Sequence, residues 1–306
     1  MTEAGLSRIY SIGEAVAELQ RVYPDVTHSS LRFLERDGFV EPERTPGGHR
    51  KYRRKDIDRV RMIKDWQAER LTLEEIRERI QRLESMPEPE NIWPRFLDLA
   101  LKGQFQQAAA IILGADEVGM PLVTIFQDVL TPALIEVGRR WATDELKVGE
   151  EHEVTELCRD LISELTMRHM GRTAEGPIVL VAAVEAEMHD LGLRMVCGLL
   201  RQRGAHVHFL GSNVPTPFLL ESVLLRRPDI VLLSVTLEEH RPSLERAIDA
   251  LRRELPGGVS PVVVIGGQGG VNAADAFTGP ETNVMEPGGL STAVDEIISY
   301  GTRVDQ

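Results

Sequence analysis

Cysteine is nearly absent, two in 306 residues. Cys158 and Cys197 lie far apart and in no C-x-x-C, which excludes a disulfide framework or zinc ribbon and leaves buried thiols. Long apolar runs are missing as well. "IVLVAAV" (178–184) and "VVVI" (262–265) fall far short of the ~20 residues a membrane helix needs. The opening "MTEAGLSRIYSIGEAVAEL" holds no signal-peptide core, so a soluble, cytoplasmic protein without a membrane partner is expected.

What is present is ordinary for a globular chain, 42% hydrophobic and 27% charged, with length enough for two or three domains. The charge is unevenly spread. Residues 1–90 hold 17 Lys/Arg against 18 Asp/Glu, and residues 91–306 hold 18 against 30, so most of the net −13 belongs to the second part. Within "RTPGGHRKYRRKDIDRVRMIK" (44–64) nine basic residues face two acidic ones, the footprint a phosphate backbone attracts. A solvated helix face more usually mixes both signs.

"YSIGEAVAEL" puts Ile12, Val16 and Leu19 at helical spacing behind Ser11 as N-cap. A second helix runs from Thr27 or Ser29 through "SLRFLERDG" and stops at Gly38. The Gly47-Gly48 turn lies between short extended segments before a third helix, and "LTLEEIRERIQRLESM" supplies a fourth with Leu73, Ile76, Ile80 and Leu83 on one face. The order "YSIGEAV", "SLRFLERDGFVEPERTPGGHRKY", "DIDRVRMI", "LTLEEI" resembles the winged helix-turn-helix of MerR-type transcription regulators over 7–84. The resemblance implies operator DNA as a partner, with the second helix in the major groove and the Gly-Gly turn as a wing. It makes Ser29, Arg32 and Arg36 the base-reading residues and Arg44, His49, Arg50, Lys51 and Arg53 the wing contacts. Bidentate arginines can read guanine, whereas wing cations add salt-dependent, sequence-blind affinity.

"ESMPEPENIWP", rich in proline and glutamate, reads as a linker, placed at 85–92. From Trp93 the text is strand-free with helical spacing, broken near Gly119 to Pro121 and around Asp144 to Gly149, which predicts a four-helix bundle over 93–174. From 176 to 304 "IVLVAAV", "HVHFL", "DIVLLSV", "PVVVIGG" and a weaker "TNVMEP" alternate with helical segments. That pattern predicts a Rossmann-like α/β domain with a parallel five-stranded sheet and its ligand at the carboxyl ends of the strands.

At that rim His189 follows the first strand, with Glu187 before it and Gly192 after it. Ser234 and Thr236 leave the third strand, and Gly266-Gly267 the fourth. The set H-x-x-G-x41-S-x-T-x29-G-G resembles the signature of cobalamin-binding domains, with Glu187 where Asp is commoner. Such a resemblance implies an imidazole on cobalt in place of the cofactor's own base. Glu187 would hold its other ring nitrogen, and the glycines and hydroxyls would line the slot for the displaced tail. An ordinary phosphate on the Gly-Gly turn is the alternative, although no G-x-G-x-x-G follows the first strand.

The whole arrangement resembles the light-responsive CarH and CarA/LitR regulators, whose cap carries W-x9-E-H. "WATDELKVGEEH" supplies Trp141, Val148, Glu151 and His152. That resemblance implies adenosylcobalamin as cofactor, Trp141 over the adenosyl group, Glu151 and His152 at its sugar or base, and His189 as the one metal ligand. It implies too a non-enzymatic repressor that self-associates to a dimer or tetramer and releases DNA in light. One departure stands out: the histidine that follows the cap tryptophan in the best-known pattern is Ala142, so no imidazole comes from there. A sensor of another ligand, such as a different tetrapyrrole, and a corrinoid methyl carrier remain the alternatives.

Overall fold

The computed structural model describes residues 9–20, 22–68, 70–170, 176–256, 259–271, 282–284 and 289–301. Two compact units divide the chain, residues 1–86 and 87–306.

In the first unit β1 (Ile9–Tyr10), α1 (Ile12–Gln20), α2 (His28–Arg36), β2 (Glu43–Arg44), β3 (Arg50–Arg53), α3 (Arg54–Ala68) and α4 (Leu73–Glu84) follow in order. The helices begin where side chains can satisfy the first N–H groups. Thr27 Oγ1 accepts from Ser30 N at 3.1 Å while Ser30 Oγ accepts from Thr27 N at 2.8 Å. Thr72 and Glu75 make the same reciprocal pair on α4. The wing is a small antiparallel sheet in the order β1-β3-β2, turned at Gly48, whose φ of +79° suits glycine. β1 carries no sequence signal because two residues are too few to show alternation. Tyr52, Leu31, Ile57, Ile63 and Ile76 form the centre of the core, each fully buried.

The second unit opens with α5 (Pro89–Leu101), so the linker expected over 85–92 is shorter and residues 89–92 are helical. Pro89 starts the helix because its fixed φ suits the first turn and no N–H is needed there. After α6 (Phe105–Glu117), α7 (Leu122–Thr124) runs through a π-helical stretch, Ile125–Leu130, into α8 (Thr131–Ala142). Thr131 Oγ1 donates to Phe126 O at 2.8 Å across the widened turn. The 21-residue α9 (Val148–Arg168) completes the bundle.

β4 (Ile178–Val184), α10 (Leu191–Gln202), β5 (His206–Val214), α11 (Thr216–Arg226), β6 (Ile230–Ser234), α12 (Arg241–Glu254), β7 (Val262–Gly266), α13 (Gln268–Val271), β8 (Thr282–Val284) and α14 (Leu290–Gly301) build the α/β part. The sheet is parallel in the order β5-β4-β6-β7-β8, and the central strands are buried on both faces. Residues 285–287 of "TNVMEP" lie outside the described residues. Strand order reverses between β4 and β6, which opens a crevice at their carboxyl ends. The bundle packs α9 against α10. Gly198 permits that approach, since a Cβ there would lie 2.5 Å from Thr166 Oγ1 and 3.3 Å from the Phe126 ring.

Candidate functional site

β4 ends at Val184, and the chain turns at once: Glu187 N donates to Val184 O at 3.0 Å with Ala186 at φ +72°. β5's end braces this turn, because Asn213 Oδ1 accepts from Ala186 N at 2.8 Å and Asn213 N donates to Glu187 O at 2.8 Å. Glu187 is thereby aimed inward, with no exposed side-chain surface. Its Oε1 accepts from His189 N at 2.9 Å and lies 2.6 Å from His189 Nδ1. Oε2 accepts from Thr236 N at 2.7 Å and Leu237 N at 3.0 Å, with His240 Nδ1 at 3.3 Å. One carboxylate thus ties the loops after β4 and β6 together across the crevice.

Burial pushes the Glu187 pKa up, but the hydrogen bonds from His189, Leu237 and Thr236 outweigh it and hold the carboxyl well below the ordinary range. The hydrogen bond to Glu187 in turn raises the His189 pKa against its partial burial, with the charges of Glu187 and Glu151 adding to it. An ionised carboxylate only accepts, so Nδ1 carries the proton and the Nε2 lone pair is directed elsewhere. The His189 side chain is 57% exposed.

Ser234, at the end of β6, is buried beneath Gly267. Gly267 has φ +84°, and a Cβ there would fall 2.3 Å from Val235 O and 2.9 Å from Ser234 Oγ, so only glycine fits. Gly266 O accepts from Val235 N at 3.1 Å, and Thr236 O from Gly269 N at 3.1 Å. Gly192 lies in the first turn of α10, where an added Cβ would meet nothing within 4 Å.

In the cap, Trp141 lies in the last turn of α8 and is 50% exposed, while Val148 opens α9 at 56%. The loop between them is tied by Thr143 Oγ1 to Glu145 at 2.7 Å and Arg139 Nη1 to Glu145 at 2.9 Å. Val148, Glu151 and His152 share one face of the first turn of α9. Glu151 Oε2 lies 2.5 Å from His152 Nδ1, and Oε1 accepts from Thr155 Oγ1 at 2.8 Å.

Sequence reasoning missed the clasp beside His189. Asp190 stands at the N-cap of α10, yet its carboxylate makes no cap bond. It accepts instead from Arg159 Nη1 of α9, at 2.7 and 2.8 Å on its two oxygens, and from Arg194 Nε at 2.8 Å. His240 and Leu237 were missed as well. The only sequence signal was a cap-type residue directly after the histidine, since Arg159 lies 31 positions away.

In the first unit Ser29, Arg32 and Arg36 are exposed at positions i, i+3 and i+7 of α2, so they share one face. His49, Lys51 and Arg53 lie on the wing, Arg53 paired with Glu43. Arg44 and Arg50 are not free: both pair with Glu35 of α2.

Comparison with known proteins follows the same divisions. Residues 10–83 match the family model for MerR HTH family regulatory proteins, and residues 92–166 and 177–285 match two B12 binding domain models. The chain is 30% identical over 275 residues to the HTH-type transcriptional repressor CarH of Myxococcus xanthus, covering 85% of this chain and 89% of that one. The chain belongs to the CarH-like family of MerR-type regulators with B12-binding domains. CarA, a transcriptional repressor of the same organism, is 29% identical over 79% of this chain and 82% of its own. The fold of the second unit is shared with the Methanosarcina barkeri monomethylamine corrinoid protein, with a TM-score of 0.59 and 16% identity, covering 68% of this chain and 98% of that chain.

The residues of this CarH-like chain fit the group its family implies. Among the described residues no cluster of three His, Cys, Asp or Glu is arranged to hold a bare ion. A single oriented imidazole suits a metal that arrives already held in a macrocycle. Large apolar side chains left exposed near the rim and on the cap, Met188, Leu237, Trp141 and Val148, suit a broad flat ligand. No described helix is long and apolar enough to cross a membrane.

Proposed function

We propose that this chain is a light-responsive transcriptional repressor that binds adenosylcobalamin and operator DNA and self-associates as a dimer or tetramer. The observation that carries the reading is the buried Glu187, which commits His189 Nδ1 and leaves Nε2 for cobalt. When bound, the cofactor supplies a cobalt–carbon bond weak enough for light to break.

The rest is the work of the chain's own residues. His189 would hold the cobalt, and Glu187 keeps its tautomer and ring orientation. Gly192, Ser234, Thr236, Gly266 and Gly267 line the slot for the tail. Trp141, Val148, Glu151 and His152 cover the adenosyl group from the cap, and α9 is held to the rim by Arg159 and Asp190. Those cap contacts exist only with the adenosyl group in place, so its presence biases cap orientation and self-association. Joining several DNA readers raises their effective concentration on one operator, and losing the association releases it. Ser29, Arg32 and Arg36 meet base edges; His49, Lys51 and Arg53 meet phosphate.

The test is an absorption spectrum and a DNA retardation assay with adenosylcobalamin, each recorded in the dark and after illumination. A spectrum with histidine as lower ligand, a light-induced change, and retardation lost in light are expected. A chain that stays colourless with added cofactor overturns the cofactor reading, and retardation equal in dark and light overturns the switch.

A further inference from the structure

The wing poses an electrostatic problem that the sequence alone does not display. In the β2–β3 ladder Arg44 stands directly opposite Arg50. Like charges at such a cross-strand position push the strands apart. The opposing charge comes from Glu35 on α2, whose side chain is 16% exposed. Glu35 Oε1 accepts from Arg44 Nη2 at 2.6 Å, and Oε2 accepts from Arg50 Nε. Burial pushes the Glu35 pKa up, but hydrogen bonds from Arg50 and Arg44, with their charges adding to them, hold it below its ordinary value.

Strand alternation divides the wing cations accordingly. Arg50 and the fully buried Tyr52 point to the α2 side of β3, while Lys51 and Arg53 point away from it, toward Glu43. The Arg50 side chain, 28% exposed, is therefore turned toward Glu35.

We propose that Glu35 is a positioning residue for DNA binding: by clasping Arg44 and Arg50 it fixes the wing at a set angle to the helix that carries Ser29, Arg32 and Arg36. Arg44 and Arg50 are its partners rather than phosphate contacts, and Lys51, on the opposite face of β3, faces the DNA backbone. The proposal rests on the DNA-binding reading of this unit.

The experiment uses the full chain, a duplex that it enriches from a random pool, and a duplex of unrelated sequence. Affinity is read against salt concentration. Glu35→Gln removes a negative charge and frees two arginines, so a merely acidic surface residue would, on removal, give tighter binding and a steeper salt slope. The clasp predicts the reverse for the enriched duplex: roughly tenfold weaker binding, the scale of one charged hydrogen bond, at unchanged slope. Arg50→Gln should do the same, and the double substitution should be no weaker than the worse single one. Lys51→Ala should instead lower the slope by about 0.9. Should Glu35→Gln fail to fold, Glu35→Asp keeps the charge but shortens the reach, and a loss at unchanged slope is again expected. Unchanged or tighter binding by the Glu35 variants, or an Arg50→Gln slope change equal to that of Lys51→Ala, overturns the proposal. A parent chain that enriches no duplex overturns the DNA-binding reading itself, and the clasp with it.

Discussion

Glu187 makes more bonds than its place in a short motif announces. The spacing to His189 was legible, and the extra methylene over aspartate left its reach open at that level. Fully buried, with both oxygens filled, the longer side chain spans from the His189 loop to the amides of Thr236 and Leu237. Glutamine there would turn an NH2 toward at least one pair of donors. Glu187→Gln should cost about 2–4 kcal/mol of stability, through buried donors left unpaired. It should also weaken cobalamin binding roughly 10- to 100-fold, as removal of a ligand-orienting carboxylate does. Denaturant unfolding of the free protein and cofactor titration check the two parts separately. A variant with parent-like values in both would remove Glu187 from the orienting role.

Among the elements of the second unit, α9 is the one that links cap and rim. Its helical spacing was readable, and so was the break before it around Asp144 to Gly149; which face meets α10 was not. Contact is decided by Gly198, which makes room for Thr166, and by the clasp of Arg159 on Asp190. The clasp joins the cap helix to the residue next to His189 and so seats the foot of the cap on the rim. Arg159→Met should keep much of the side-chain volume and lower stability by about 1–3 kcal/mol, because Asp190 is buried and retains only Arg194. Hydrogen exchange should rise along α9 and the start of α10 and stay unchanged in the first unit. Exchange confined to the parent pattern would deny the clasp a part in seating the cap.

At the scale of the whole molecule the chain keeps its two chemistries apart. The residues proposed to read DNA all lie within 1–86 and those proposed to hold cobalamin all within 87–306. Charge follows the division, with the surplus acid in the second part. Adenosylcobalamin in the dark, at about 100 times its Kd, should stabilise the unit that binds it by roughly 2.7 kcal/mol. Scanning calorimetry of the full chain should therefore show one transition moved upward and a second left in place. Both moving together would mean that the two units unfold as one.

The sequence by itself determined most of the elements and their order, though not β1 or the start of α5, because capping residues, apolar period and glycine turns act over a few positions. It also carried the rim motif, since H-x-x-G, S-x-T and G-G each sit at the end of one strand. The bonds between distant positions belonged to the tertiary structure alone. Glu35 meeting Arg44 and Arg50, Glu187 meeting the amides after β6, and Arg159 meeting Asp190 span separations of 9 to 50 residues. No local rule selects among the many charges available at such distances. Packing does, by excluding water from one arrangement and bringing a particular set of donors within reach of each buried carboxylate.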